Sequence, residues 1–244
     1  MYRKTITLKK DILGTALLDF HNGNYTEDIV TYSSLDEEDT LPLPYLFRNH
    51  DQMPALEQKA IALCQGTVLD IGCGAGNHSL YLQNQGFKVT ALDQSPGAIT
   101  VCKARGITTY QQGDILAIEL GSFDTLLLLM NGIGIAGELK NIDVFLKRLK
   151  SLLNTGGQIL LDSSDIIYMF ETDEDGGHWI PDNTAYYGEV RYTMAYKNLK
   201  SDEFPWLYLD FNTLQRAADF NGLLCELAFE GEHFDYLARL TLKR

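Results

Sequence analysis

The fold is decided by the stretch Val68-Leu69-Asp70-Ile71-Gly72-Cys73-Gly74-Ala75-Gly76-Asn77. Residues 67–71 form a short apolar run, which is typical of a buried strand. Alternating glycines follow, and then a predicted helix over residues 76–85. Glycine at such a turn lets the backbone approach a ligand where any Cβ would collide with it. The stretch therefore predicts a strand, a glycine-rich ligand-binding loop and a helix.

Strands and helices alternate on the C-terminal side of this loop. Strands are predicted over residues 67–71, 88–92, 107–111, 123–130 and 158–161, and helices over 76–85, 95–106 and 142–153. Residues 126–129 are continuously apolar, as a strand buried on both faces of a parallel sheet requires. This alternation predicts an α/β fold with a doubly wound, mostly parallel sheet.

The alternation ends after Ser163. A helix is predicted over residues 212–220, followed by strands over 224–230 and 234–242. Only a short turn joins these two strands, so they should pair in the antiparallel sense. The predicted sheet is therefore mostly parallel and finishes with an antiparallel hairpin.

The length of 244 residues suits one domain rather than two. We expect a single domain over residues 1–244, with an irregular, partly helical N-terminal cap or lid (1–52), a ligand-binding core (67–162), an insertion facing the substrate (163–210) and a C-terminal helix and hairpin (211–244).

Composition excludes several classes of protein. The chain has 20 basic and 33 acidic residues, a net charge of −13, whereas nucleic-acid binders need a basic footprint. The four cysteines form no C-x-x-C pair and have no accompanying histidine cluster, so we expect neither a metal site nor a disulfide framework. No signal peptide and no apolar run of membrane-spanning length is seen, which favours a cytoplasmic protein without a membrane partner.

The glycine loop departs from two known phosphate-binding patterns. The residue three after Gly74 is Asn77, so the dinucleotide fingerprint G-x-G-x-x-G fails, and no G-K-[ST] of a Walker loop is present. Asp93 ends the second strand, where a carboxylate can accept hydrogen bonds from both ribose hydroxyls of either NAD or S-adenosylmethionine. These residues predict an adenosine-containing ligand.

Two further strand ends carry candidate contacts. Asp114 follows the third strand and could accept from an adenine amine while Ile115 packs on the ring. Met130 and Asn131 end the fourth, where Asn131 would face the rest of the ligand or its reaction partner. An ordinary turn explains Asp114 or Asn131 equally well when each is taken alone. Their joint occurrence at the carboxyl edge of the sheet is more specific.

On these residues the sequence resembles the class I S-adenosylmethionine-dependent methyltransferases, over roughly residues 67–162. The resemblance implies a Rossmann-like, seven-stranded sheet that ends in a reversed strand. It also implies S-adenosylmethionine as cofactor and S-adenosylhomocysteine as product. The implied cofactor contacts are Asp70, Gly72, Cys73, Gly74, Asn77, Asp93, Gln94, Asp114, Ile115, Met130 and Asn131.

The methyl acceptor is not encoded in a motif. Asn131-Gly132-Ile133-Gly134 stands where base-methylating enzymes carry N-P-P-Y/F, and together with the net charge this favours a small molecule, with a protein side chain as the alternative. No catalytic residue can be assigned. The candidate general bases are His21, His50, His178, His233 and Asp165, each with a surface or structural alternative.

Two features of the sequence, and the function itself, have more than one interpretation. The insertion is rich in Tyr and Trp, which fits a pocket for a planar or apolar acceptor or a half-buried hairpin. Arg48 could reach the cofactor carboxylate. Two other functions compete with methyl transfer: a non-catalytic S-adenosylmethionine-binding protein, and a nicotinamide-dependent oxidoreductase.

Overall fold

The computed structural model describes residues 11–173, 175–180 and 185–243. The first ten residues of the predicted cap, Glu174 of the insertion and residues 181–184 lie outside the described residues.

The described residues form helices and strands in the following order. The α-helices are α1 (Ile12–His21), α2 (Ala55–Leu63), α3 (Asn77–Asn84), α4 (Pro96–Ala104), α5 (Ile142–Ser151) and α6 (Phe211–Phe220). The strands are β1 (Ile29–Ser33), β2 (Glu38–Leu41), β3 (Thr67–Ile71), β4 (Lys88–Asp93), β5 (Tyr110–Gln112), β6 (Phe123–Leu128), β7 (Leu153–Ser164), β8 (Glu189–Tyr196), β9 (Leu199–Lys200), β10 (Phe204–Leu207), β11 (Leu223–Glu230) and β12 (Asp235–Leu242).

Seven strands form the central sheet, in the order β11-β12-β7-β6-β3-β4-β5. β4 pairs with β5, and β6 with β7, in the parallel sense. β12 is antiparallel to both β7 and β11. The predicted α/β fold, with a mostly parallel sheet and an antiparallel finish, is confirmed.

Contacts divide the chain into two compact units. The first unit comprises the described parts of Met1–Met53, Leu69–Leu120 and Tyr192–Phe204. The second comprises those of Pro54–Val68, Gly121–Arg191 and Pro205–Arg244. The single domain expected over 1–244 stays a prediction.

Helices α1 and α4 pack closely in the first unit. The Oδ1 atom of Asp11 accepts from the Gly14 N–H, 2.9 Å away, and caps α1. Its Oδ2 atom accepts from the Gly97 N–H at 2.9 Å, at the start of α4. A Cβ on Gly97 would lie 2.5 Å from the Cα of Gly14, so this contact requires glycine. One carboxylate therefore fixes the starts of two helices, one of which follows the predicted ribose-binding Asp93.

The N-terminal segment holds more regular structure than predicted. Beside α1 it contains β1 and β2, and β1 also pairs with β8 through Val30 and Ala195. These strands belong to a second sheet, of order β10-β8-β1-β2, in which β9 pairs with β8. The described part of this stretch is partly helical, but it also contains strands where the sequence predicts irregular structure. β2 escapes a periodicity analysis because most of its four residues are exposed.

In the second unit α5 buries its apolar face, which includes Phe145, Leu146 and Leu149. β7 begins at Leu153, five residues before the predicted start at 158, because Leu153 already pairs with Phe123 before a register shift. Within the described ranges, no helix is long and apolar enough to cross a membrane.

Candidate functional site

The glycine loop, residues 72–76, connects β3 to α3 in the first unit. Its three glycines have φ angles of 76°, 54° and 80°, a region that other L-residues enter only at a cost. A Cβ on Gly76 would lie 2.4 Å from the Cδ1 atom of Ile107, so tight packing also requires this glycine. A Cβ on Gly74 would meet no described atom within 4 Å. The loop is therefore packed at one glycine and open at another, as a cradle for a ligand would be.

Asp93 lies at the end of β4, directly beside the open glycine. Its Oδ2 atom accepts from the Gly74 N–H at 2.9 Å, and its Oδ1 atom from the Ser95 N–H at 2.8 Å. Burial raises the pKa of the Asp93 carboxyl, while these two hydrogen bonds act in the opposite direction. Each carboxylate oxygen can accept one hydrogen bond more, so the pair could receive two adjacent hydroxyls.

Asp70 and Asn77 lie at the loop but bond to the protein. Asp70 is 2 % exposed, and its Oδ2 atom accepts from the Ser79 hydroxyl at 2.6 Å. Burial raises the pKa of Asp70. The amide of Asn77 donates to the Leu46 carbonyl and accepts from the Arg105 guanidinium, at 2.7 and 2.6 Å. Both side chains thus hold the loop and α3 in place, and direct cofactor contact by either stays a prediction.

A segment of two short 3₁₀ helices, which we call the strap (Leu43–Gln52), lies on the glycine loop. Asn77 binds its backbone at Leu46, and the His50 ring stacks on Tyr81 of α3 with centroids 4.1 Å apart. Arg105 joins the loop to the strap, since it donates to the Ala75 carbonyl at 2.6 Å and lies over the Phe47 ring. These contacts were not predicted from the sequence, because they join polar residues far apart in the chain.

Arg48 is a buried part of this strap, only 5 % exposed. Its guanidinium donates to the Tyr45 carbonyl at 2.7 Å and lies 3.8 Å from the centre of the Tyr45 ring. The structure thus places a buried positive charge in the segment that covers the glycine loop. A contact from Arg48 to the cofactor carboxylate stays a prediction.

Cys73 is buried within the glycine loop. Its sulfur lies 3.7 Å from that of Cys102 on α4, and the Cys102 thiol also donates to the Gly74 carbonyl at 3.4 Å. The hydrogen bond with Cys102, and then burial, raises the pKa of Cys73 well above its ordinary value. Cys73 is therefore a neutral thiol at neutral pH, and its sulfur packs against that of Cys102 beside the loop.

The remaining predicted contacts of the first unit differ in exposure. Gln94 is exposed, whereas Ile115 is 2 % exposed. The Oδ1 atom of Asp114 accepts from the Leu116 N–H at 2.9 Å, which is the hydrogen bond of an ordinary turn. The turn uses only one of the two carboxylate oxygens of Asp114, and a contact from Asp114 to the adenine stays a prediction.

Met130 and Asn131 belong to the second unit and follow β6. Both adopt left-handed backbone angles, φ 65° and 56°, although neither is glycine. Asp162 holds this turn, because its two oxygens accept from the N–H groups of Asn131 and Gly132 at 3.0 and 2.8 Å. The Asn131 amide donates to the Leu207 carbonyl at 3.1 Å. Its Oδ1 atom is buried and accepts no hydrogen bond from the described residues, which leaves one polar atom of this turn unsatisfied.

The same turn packs against an aromatic ring. A Cβ on Gly134 would lie 2.2 Å from the indole of Trp206, so only glycine admits this ring. Trp206 belongs to the aromatic insertion, and its ring is partly buried on the turn. The packing fixes the loop that carries Asn131.

Two tyrosine–carboxylate pairs follow β7 in the second unit. The Tyr187 hydroxyl donates to Asp165 at 2.8 Å, and the Tyr186 hydroxyl to Asp210 at 2.7 Å. Burial raises the pKa of both tyrosines, so each hydroxyl keeps its proton and acts as a donor. Among the described residues, Asp165 is the one predicted base that accepts a hydrogen bond from a tyrosine hydroxyl.

The four histidines in that set have other surroundings. His21, His178 and His233 are exposed, and His50 is the strap residue that stacks on Tyr81. No group of three or more His, Cys, Asp or Glu within the described parts of the chain is arranged to hold a metal ion.

Comparison with known proteins identifies the family. A methyltransferase-domain model matches residues 68–157. The crystal structure of an S-adenosylmethionine-dependent methyltransferase from Bacteroides fragilis, in complex with S-adenosyl-L-homocysteine, is 42 % identical with a TM-score of 0.90. That match covers 99 % of this chain and 98 % of the other.

Two more distant proteins share part of the sequence or the fold. A "putative methyltransferase" of Geobacillus sp. (strain WCH70) is 27 % identical over 101 residues, which span 39 % of this chain and only 41 % of that relative. A sugar N-methyltransferase of Streptoalloteichus sp. shares the fold, with 17 % identity and a TM-score of 0.55 over 78 % of this chain and 85 % of its own. Full-length similarity to the Bacteroides enzyme, the matched domain model and the geometry of the glycine loop lead to one conclusion: the chain belongs to the S-adenosylmethionine-dependent methyltransferase family.

Proposed function

We propose that this protein transfers the methyl group of S-adenosylmethionine to a small-molecule acceptor. The observation that carries the proposal is the Asp93 carboxylate, which binds the Gly74 N–H beside a face of the loop that is open to a ligand. When bound, S-adenosylmethionine supplies an electrophilic methyl group, whose bond to sulfur breaks as an acceptor lone pair forms the new bond, leaving S-adenosylhomocysteine. Family membership excludes the nicotinamide-dependent alternative.

The first unit supplies groups that suit this cofactor. The oxygens of Asp93 would accept from the ribose hydroxyls, and the open face at Gly74 would admit the ligand against the backbone. Asp114 and Ile115 would frame the adenine. Asp70 and Asn77 would act as positioning residues, since their side chains hold α3 and the strap.

The contribution of the chain to the reaction would be mainly alignment. Holding two reactants in the correct geometry can lower a barrier by about 7–11 kcal/mol in favourable cases. A general base is needed only if the acceptor must lose a proton. Asp165 would be the candidate for that role in the second unit, with its orientation set by Tyr187.

A small acceptor is supported by charge. The net charge of −13 repels the phosphates of DNA or RNA. The residues after β6 also lack the N-P-P-Y/F motif of base-methylating enzymes. The sugar N-methyltransferase of Streptoalloteichus, which shares the fold, acts by its name on a small molecule. A cytoplasmic location remains a prediction.

The proposal can be tested by following the label of tritiated S-adenosylmethionine. The purified protein is incubated with three separated fractions of a bacterial lysate: metabolites below about 1 kDa, nucleic acids and proteins. We expect enzyme-dependent label in the metabolite fraction alone. Label in nucleic acid or protein alone would contradict the small-molecule acceptor. Intact binding of S-adenosylhomocysteine without label in any fraction would favour the non-catalytic alternative.

A further inference from the structure

Two aromatic rings stack at the surface of the second unit. The rings of Tyr168 and Phe234 are 4.8 Å apart between centroids and inclined by 18°. Yet these residues are 52 % and 59 % exposed. Large aromatic side chains usually bury such area, so a stacked pair left in solvent is a candidate contact surface for a ligand. We call this pair the aryl platform.

The backbone of the platform is strained. Phe234 has a φ angle of 60°, in the left-handed region where glycine and asparagine are favoured. It ends the turn between β11 and β12, a place where glycine or asparagine would relieve the strain. A bulky residue kept there at an energetic cost points to a use for its ring.

The platform lies at the carboxyl end of β7. Asp235, the residue after Phe234, pairs with Ser164 at the end of that strand. The Phe234 carbonyl accepts from the Asp165 N–H at 2.9 Å. The Asp165 carboxylate in turn accepts from the Tyr187 hydroxyl at 2.8 Å. Open α/β sheets bind ligands at this edge, so the platform and an ordered carboxylate share a ligand-binding position.

The two segments that carry the platform are acidic. Their described residues, 162–173, 175–180 and 229–236, contain eight carboxylates and no Lys or Arg. The nearby histidines, His178 and His233, are both exposed. Such surroundings repel an anion and attract an ammonium ion, which an aromatic face also binds.

Building on the proposed function, we propose that the aryl platform and Asp165 bind the methyl acceptor, and that this acceptor carries an aromatic ring and an ammonium group. The ring would pack against the exposed surface of the stacked pair Tyr168 and Phe234, and the ammonium group would face the Asp165 carboxylate. This assigns the acceptor class by chemistry: an aryl-alkyl amine rather than a neutral sugar or an aromatic acid.

A pair of probes with opposite charge tests the inference. The full-length protein, saturated with S-adenosylhomocysteine, is titrated with phenethylamine and with 3-phenylpropionate, and binding is followed by ligand-observed NMR. We expect saturable binding of the amine and at least tenfold weaker binding of the acid. Equal affinity for the two probes, or no binding of the amine, would overturn the inference.

Variants connect the binding to the platform. Phe234→Asn keeps a residue that tolerates the left-handed backbone but removes the ring, and Tyr168→Leu removes the second ring. Each should weaken phenethylamine binding at least tenfold. Phe220→Asn is the matched control, because Phe220 is 76 % exposed at the end of α6 and outside the platform. Unchanged affinity in both platform variants, or an equal loss in the control, would contradict the proposal.

The same samples separate this inference from the proposed function. Calorimetric titration with S-adenosylhomocysteine is run on each protein beforehand. If that titration fails for the folded wild-type protein, the methyltransferase proposal itself fails. If it succeeds while phenethylamine does not bind, only the acceptor class is wrong.

Discussion

The glycine loop and the second unit differ in what occupies their left-handed backbone positions. In the loop, residues 72–76, these positions are all glycine. In the second unit some of them fall instead on Met130, Asn131 and Phe234, whose side chains are exposed or have a buried oxygen without a described donor, while others, such as Gly137 and Gly156, are glycine. We propose that the glycine loop presents backbone to its ligand and that these three residues present side chains.

This difference explains why one half of the function has a motif and the other has none. The cofactor is the same across a family, so a glycine loop and one carboxylate suffice to bind it. A larger residue in the loop would fill the space that the cofactor needs. An acceptor differs between enzymes, and its site must be built from particular side chains held in place at a local cost. We propose Phe234 as an example, since it combines a φ angle of 60° with a ring that is 59 % exposed.

The largest expected effect comes from Asp93. Asp93→Ala removes two hydrogen bonds to the backbone and both oxygens proposed for the ribose. Affinity for S-adenosylhomocysteine should therefore fall by at least about 100-fold, since each of the two ribose bonds to a charged group contributes about 1.5–3 kcal/mol. Isothermal titration calorimetry measures the loss, and thermal unfolding shows whether the fold persists.

Asp124→Ala is the matched control for that variant. Asp124 also accepts from a backbone N–H, that of Thr67 at 2.7 Å, but lies at the opposite end of the strands. Its loss should lower stability without changing affinity for S-adenosylhomocysteine. If both variants lost affinity equally, the effect would be a general one on folding and not a contact at Asp93.

The second expected effect is a pH dependence of binding. Burial raises the pKa of Asp93 above its ordinary 3.8. A ribose hydroxyl donates best to the ionised carboxylate, so affinity should be constant above this raised pKa and fall about tenfold per pH unit below it. Calorimetry over a pH series measures the profile, and Asp93→Asn should flatten it. If the affinity of the wild-type protein for S-adenosylhomocysteine stayed constant down to pH 3.8, the prediction would be contradicted.

The same carboxyl affects stability in the opposite sense. Because the folded pKa of Asp93 is raised, the folded protein binds this proton more tightly than the unfolded chain does. Its contribution to stability is greatest below pH 3.8 and is lost as the pH rises through the folded pKa. Ligand binding and unliganded stability therefore respond to pH in opposite directions at this residue.

A smaller effect tests whether the loop presents backbone to the ligand. Gly74→Ala places a methyl group where no described atom lies within 4 Å, so affinity for S-adenosylhomocysteine should fall about tenfold while stability falls by only about 1 kcal/mol. Gly23→Ala is the control, since Gly23 has a φ angle of 78° and equally open surroundings but lies in the turn after α1. Affinity that survives in Gly74→Ala would show that the open face is not used.

The smallest effect concerns the strain at the aryl platform. Phe234→Asn relieves the left-handed backbone, so the melting temperature should rise by about 2–4 °C, as about 1 kcal/mol does in a protein of this size. Differential scanning calorimetry measures this change. A fall in melting temperature would mean that the Phe234 ring stabilises the fold, and would remove the argument from strain.

Much of the fold could be predicted because its signals are local. The apolar run of residues 67–71 predicts β3, and the glycines directly after it predict the loop that leads into α3. The hairpin predicted over 224–230 and 234–242 is observed within one residue at each bound. Its short turn leaves only the antiparallel arrangement.

The strap and the second sheet could not be predicted because their contacts are distant in sequence. Val30 pairs with Ala195, and Asn77 binds the backbone at Leu46. Neither contact leaves a periodic pattern. For the same reason the sequence does not identify Asp162, whose carboxylate accepts from the Asn131 N–H. This residue directly follows a predicted strand.

The most direct test of the central claim is calorimetric titration of the purified protein with S-adenosylhomocysteine, with NADH as the control ligand. We expect micromolar binding of S-adenosylhomocysteine and none of NADH. No binding of S-adenosylhomocysteine by protein shown to be folded would contradict the assignment of the glycine loop and Asp93 as the cofactor site.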